Sequence, residues 1–148
     1  MSDLGPIVVG VDGSAHGQTA LRWAVDRAGR TGQSVRAVSV WHFPPIAYTG
    51  SLGPPPFLDP EDLERAAGDA LEARISELGD TGGVEIERCL REGQAADVLI
   101  EESKGADLLA VGSRGRGGFR ELLLGSVSHQ CAQHAECPVL IVRRPKHD

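Results

Sequence analysis

The sequence predicts an α/β fold, an open five-stranded parallel sheet with helices on both faces. Three observations lead there. Nearly continuous apolar runs at 6–11, 107–111 and 138–142 suit strands buried on both sides, as parallel strands are. Segments with apolar residues at three- and four-residue steps lie between such runs, as in helices packed on a sheet. The two kinds alternate along 148 residues, a length that suits one domain (1–148) burying about 68–70% of its unfolded surface.

The first strand covers Pro6 to Val11 and ends at Asp12-Gly13-Ser14. Ser14 is placed to cap a helix whose inner residues are Ala20, Leu21, Ala24, Val25 and Ala28, with Gly29 and Gly32 near its end. The second strand is Val35 to Trp41. Residues 42–60 then hold six of the nine prolines together with Gly50 and Gly53, so neither helix nor strand runs through them. A stretch of this kind is either a crossover or a flap near a site, and both readings stand.

Asp59-Pro60-Glu61-Asp62 combines a cap, a proline at the first helical position and acids in the first turn. The helix it starts is expected to reach Leu78 and to bury Leu63, Ala66, Ala67, Ala70, Leu71 and Leu78. Residues 84–90 alternate apolar and charged at first, as in a half-exposed edge strand. A helix from Gln94 to Lys104 follows, buried through Ala95, Val98 and Leu99. The fourth strand is 107–111, the fourth helix runs from Ser126 to His134 along Val127, Cys131 and Ala135, and Pro138 to Arg143 supplies the last strand.

The fourth strand opens into Gly112-Ser113-Arg114-Gly115-Arg116-Gly117-Gly118, four glycines in seven residues. Such a loop aims successive N–H groups into one concavity and lets an anion touch the backbone. Gly125 and Ser126 read as a small residue and an N-cap opening the next helix, whose N-terminus is a second anion site. The spacing Gly112-x2-Gly115-x9-Gly125-Ser126 therefore offers two sets of donors and a hydroxyl to one polyphosphate. Arg114, Arg116 and Arg120 add positive charge in a chain of net charge −6. Ligands of open α/β sheets sit beyond the carboxyl ends of the strands where the winding reverses, which gathers Asp12, Val40 and Gly112 around one crevice.

Other chemistries fit poorly. A pI near 5.3 and few aromatic residues argue against nucleic-acid binding. No 18-residue apolar run is present, and residues 1–6 lack the features of a signal peptide, so a cytoplasmic chain without a membrane span is expected. Cys89, Cys131 and Cys137 form no disulfide framework. The chain contains neither a P-loop nor a Gly-x-Gly-x-x-Gly turn after the first strand. His129 and His134 lie about 140° apart on a helix and do not meet one metal with Cys131 and Cys137. Gly125-Ser126-Val127-Ser128-His129 is not a nucleophile elbow. Asp12 is the one carboxylate placed in the crevice, where it can orient a ribose or a nucleotide-bound magnesium ion, too little for an efficient ATPase.

These segments together resemble the universal stress protein family, whose ATP-binding members carry Gly-x2-Gly-x9-Gly-Ser/Thr. The likeness includes Ile7 to Ser14, Asp107 to Gly118, Leu122 to Ser128 and Cys137 to Arg143. It implies the sheet order 3-2-1-4-5 and a homodimer through the last strand, Val139, Leu140, Ile141 and Val142. It also implies ATP as ligand. By that resemblance Gly10, Val11, Asp12 and Val40 surround adenine and ribose, Gly112 to Gly118 wrap the phosphates, and Ser126 and Val127 meet the terminal phosphates. A regulatory ATP-binding module with slow hydrolysis at most is the leading expectation. A nucleotide-free dimeric scaffold and a nucleotidyl-transferring enzyme are the rivals.

Overall fold

A computed structural model of the chain describes residues 4–42, 59–114 and 124–144. Its elements alternate: β1 (Ile7–Gly10), α1 (Ala15–Thr31), β2 (Val35–Trp41), α2 (Pro60–Ser76), β3 (Ile86–Glu92), α3 (Ala95–Glu102), β4 (Leu108–Gly112), α4 (Ser126–His134) and β5 (Val139–Val142). The strands pair in the order β3-β2-β1-β4-β5, all parallel. Fold class and order are those expected. The proline-rich stretch falls largely at 43–58 and most of the glycine loop at 115–123, both outside the described residues.

The alternation of side chains splits the core into two layers. Ile7, Val9, Val35, Ala37, Ala110 and Val142 face α1 and α2, meeting Ala20, Leu21, Ala24, Leu71 and Ile75. Val8, Val38, Leu109 and Val111 face α3 and α4, meeting Val98, Leu99 and Cys131. Ile7, Val8, Val9 and Leu109 are wholly buried, and each such side chain contributes about 1.5–3 kcal/mol relative to exposure. A strand sandwiched in this way has no polar face, so its sequence reads as a continuous apolar run.

Caps set the helix ends. The Ser14 hydroxyl accepts from the Gly17 amide at 3.0 Å, and Gly32 closes α1 at φ 79°. Asp59 accepts from the Glu61 amide at 2.9 Å, with Pro60 directly after it. Helix α2 ends at Ser76, short of Leu78, and its buried face is narrower than the sequence implies. Leu71 and Ile75 are buried, Leu63, Ala67 and Leu78 half-buried, and Ala66 and Ala70 exposed. This helix lies over β2 and the edge strand β3, so the i, i+4 line Leu71 and Ile75 is covered while Ala66 and Ala70 are left exposed. In α3 it is Ala96 that is buried while Ala95 is half-buried, and in α4 Ser128 joins Cys131 in the interior. Strands β3 and β4 sit two residues and one residue later than expected, so that Gly112 is the last residue of β4.

The two sheet edges differ in chemistry. On β3, Glu87 pairs with Arg36 at 3.0 Å, Arg88 with Glu72 at 2.7 Å and Arg91 with Glu102 at 2.8 Å. Strand β5 is Val139-Leu140-Ile141-Val142, three of the four residues half-buried and none charged.

Candidate functional site

The winding reverses between β1 and β4, and their carboxyl ends open a cleft there. Gly10 at the end of β1 and Val11 just after it, Val38 and Val40 from β2, and Val111 and Gly112 from β4 form its floor. Ala95 and Leu99 of α3 and Val127 and Ser128 of α4 line it as well, with the buried Gly17, the exposed Asp12 and the half-buried Arg114. An apolar interior with a polar, partly cationic edge suits a ligand with a flat apolar part and an anionic part.

Asp12 is held by the turn that starts α1. Its Oδ1 accepts from the Ser14 amide at 2.9 Å and from the Ser14 hydroxyl, which itself accepts from Gly17. Gly13 sits at φ 83°, a left-handed conformation that glycine takes without strain. A Cβ at Gly17 would lie 2.6 Å from Asp12 Oδ1, so the carboxylate occupies the space of the missing side chain. Asp12 itself remains exposed, and Oδ2 takes no part in this turn.

The first glycine of the long-spaced pattern has a different reason from the one its sequence suggests. Gly112 does not have a positive φ, and a Cβ there would lie 2.6 Å from the His16 carbonyl carbon, so it lets the first turn of α1 rest on the end of β4. Gly10 does likewise towards Leu99, whose Cδ1 would be 2.9 Å from an added Cβ. The glycines at these two positions bring helices against strand ends.

The junction of β4 with α4 is tied by backbone and hydroxyl groups. The Ser113 amide donates to the Val142 carbonyl at 2.9 Å, so it is not available to wrap a phosphate. The Ser113 carbonyl accepts from the Gly125 amide at 2.7 Å. The expected cap at Ser126 is corrected: Gly125 is the N-cap and Ser126 the first helical residue, because the bond to Ser113 fixes Gly125 in an extended conformation (φ −71°, ψ 166°). Gly125 has no side chain to cap the helix, so the amides of Ser126, Val127 and Ser128 form an N-terminus without a side-chain cap. Ser126 is exposed, and Val127 and Arg114 are half-buried along the cleft.

The structure thus brings Gly10, Val11, Asp12, Val40, Gly112, Arg114 and Val127 to one cleft, with Gly125 and Ser126 at the same helix start. Gly115, Arg116, Gly117 and Gly118 lie outside the described residues. Sequence reasoning overlooked Gly17 and Ser128, although the signal existed. Ser128 is three residues before the buried Cys131, hence on the inner stripe, and Gly17 stands three residues after its cap. Cys131 is buried, which pushes its thiol up to about 11, with the nearby Cys137 adding to the effect. His129 and His134 are exposed, and among the described residues no group of three His, Cys, Asp or Glu side chains could hold a metal ion. No helix among them is long and apolar enough to cross a membrane.

Residues 4–143 match the Universal stress protein family. The chain belongs to that family. It is 38% identical over 143 residues to a universal stress protein of Mycolicibacterium smegmatis, a match covering 93% of this chain and 45% of that protein. The chain spans about half the length of this and several other curated family members that it matches. Among solved structures it is similar to the universal stress protein UspA of Lactobacillus plantarum, with a TM-score of 0.76 at 24% identity, over 97% of this chain and 100% of that one. A universal stress protein in complex with cAMP has a TM-score of 0.62 at 27% identity, again over 97% of this chain and 100% of that one.

Proposed function

We propose that this universal stress protein binds an adenine nucleotide, ATP with magnesium in the cytoplasm, and acts as a regulatory module of a homodimer. The observation that carries the proposal is the cleft itself, in which an apolar floor meets a helix start without a side-chain cap. The apolar residues Val11, Val40, Leu99 and Val111 would take the base, and Asp12 the ribose or the metal ion carried by the nucleotide. The amides of Ser126 and Val127, the Ser126 hydroxyl and Arg114 would take the phosphates, and by the family pattern Gly115, Arg116, Gly117 and Gly118 would contribute to the same role. The relative solved with cAMP supports the class of ligand. The apolar, uncharged β5 at a sheet edge supports pairing between copies.

A bound nucleotide supplies phosphate chemistry, and the chain supplies few groups to accelerate it. Among the described residues lining the cleft, Asp12 is the one carboxylate and Arg114 the one cation. Turnover is therefore expected far below the roughly 1–100 s⁻¹ of kinases.

Mass spectrometry of the small molecules released on denaturing the purified protein identifies the nucleotide. A ligand at 100 times its Kd adds about 2.7 kcal/mol, an upward shift in melting temperature of about 5–10 °C for a domain of this size. A shift with ATP and magnesium, without rapid phosphate release, is the expected result. No shift with any adenine nucleotide would leave a scaffold acting through its surface, and a shift with fast turnover would make the protein an enzyme.

A further inference from the structure

We propose that Ser128 is a positioning residue for the phosphate end of the cleft, tying the start of α4 to the end of β4 so that the donors of Ser126 and Val127 face Gly112 and Arg114. The proposal rests on the nucleotide reading given above. Ser128 is 2% exposed, and its hydroxyl lies 3.2 Å from the Ser113 carbonyl and 3.1 Å from the Gly125 carbonyl. Those two carbonyls stand on opposite sides of the chain excursion between β4 and α4. One hydroxyl proton therefore bridges the strand end and the helix cap.

Among the described residues the bridge has one companion, the Gly125 amide donating to Ser113 at 2.7 Å. That bond alone ties the first turn of α4 to β4 at one point and leaves the turn freedom to tilt about it, while Cys131 holds the helix in the core further along. The hydroxyl adds a second attachment one helical turn further along and removes that freedom. Its proton is committed to carbonyls, so it acts through Ser113 and Gly125 rather than on the ligand.

Removing the hydroxyl leaves neither acceptor orphaned. Ser113 keeps the Gly125 amide, and the Gly125 carbonyl keeps the His129 amide at 3.0 Å. Ser128→Ala is accordingly expected to fold, with a loss of placement rather than of an obligatory buried partner.

The test compares ATP with adenosine, which shares the base and ribose but has no phosphate. Titration calorimetry on Ser128→Ala should show ATP affinity falling about 3- to 10-fold, as for the loss of one hydrogen bond, while adenosine affinity stays within about 2-fold. Ser103→Ala is the control, since Ser103 is equally buried and donates to the Ile100 carbonyl at 2.9 Å at the far end of α3. It should leave the ratio of the two affinities unchanged. If Ser128→Ala does not fold, Ser128→Cys preserves the volume with a weaker donor and should lower the same ratio. Equal losses for ATP and adenosine, or no loss for either, would overturn the proposal. A wild-type protein that binds no adenine nucleotide would instead sink the reading on which it rests.

Discussion

Replacing Gly112 by alanine probes the contact that shapes the cleft. The added Cβ would lie 2.6 Å from the carbonyl carbon of His16 and 2.8 Å from both its Cβ and its carbonyl oxygen, where ordinary contact begins at 3.4 Å. The shortfall is against backbone, so no rotamer change relieves it, and the first turn of α1 has to lift from β4. Ala20, Leu21 and Ala24 further along α1 are wholly buried and resist that movement. Overpacking of this kind costs about 1–3 kcal/mol, and each kcal/mol lowers the midpoint of a domain this size by about 2–4 °C, a fall of about 2–12 °C. Gly10→Ala meets Leu99 Cδ1 at 2.9 Å, the end of a movable side chain, and should cost less, about 0.5–1.5 kcal/mol. Gly29→Ala in the exposed part of α1 finds its nearest atom at 3.6 Å and should stabilise by about 0.5–1 kcal/mol. Differential scanning calorimetry without ligand gives the order. A Gly112→Ala midpoint within about 1 °C of wild type, or one above that of Gly10→Ala, would refute the packing account of these glycines.

Ser126→Ala should weaken ATP by roughly 10- to 100-fold, since a hydrogen bond to a charged group contributes about 1.5–3 kcal/mol, and unchanged affinity in calorimetry would remove this hydroxyl from the site. Leu140→Lys should shift sedimentation from dimer towards monomer, whereas a wild-type monomer at micromolar concentration would end the dimer reading. Burial raises the Cys89 and Cys131 thiols from the ordinary 9.0 to about 11, helped at Cys89 by the hydrogen bond to Glu102 and at Cys131 by nearby Cys137. Unfolded thiols then lose their protons near pH 9 while the folded ones keep them to about pH 11, so this part of the stability is present below pH 9 and is lost as pH rises through that window. Denaturant melts should show a shallower decline over that range for Cys131→Ala than for wild type, and parallel declines would contradict the assignment.

Local rules carried most of the fold. Caps at Ser14 and Asp59, the periodicity of α1 and the apolar strand runs depend on neighbours close in sequence, and they stand within a residue or two of their expected places. What was not legible depends on partners far away in the chain. Ser113 reads as part of a phosphate-wrapping loop, yet its amide is taken by Val142 on the adjoining strand. Gly112 reads as room for a ligand, yet it makes room for His16. Ile75 was overlooked and Ala66 and Ala70 overcounted, because periodicity gives the apolar side of a helix but not how wide a strip the sheet covers. At the cleft, Asp12, Val40 and Gly112 could be grouped from topology, since winding direction alone decides which strand ends are neighbours.

The unequal margins of the sheet determine how far association can go. Growth by strand addition needs two competent margins, one to give and one to receive, and a unit with both extends without limit into a fibre. Here the β3 margin carries ion-paired side chains at Glu87, Arg88 and Arg91, and a strand docking there would disturb the water and counter-charges around them. Strand β5 itself, Val139 to Val142, carries no charged side chain. On the proposed dimer, a molecule with one open side has valence one, so pairing along β5 would exhaust it: the sheet would meet a second copy and leave no like margin to recruit a third.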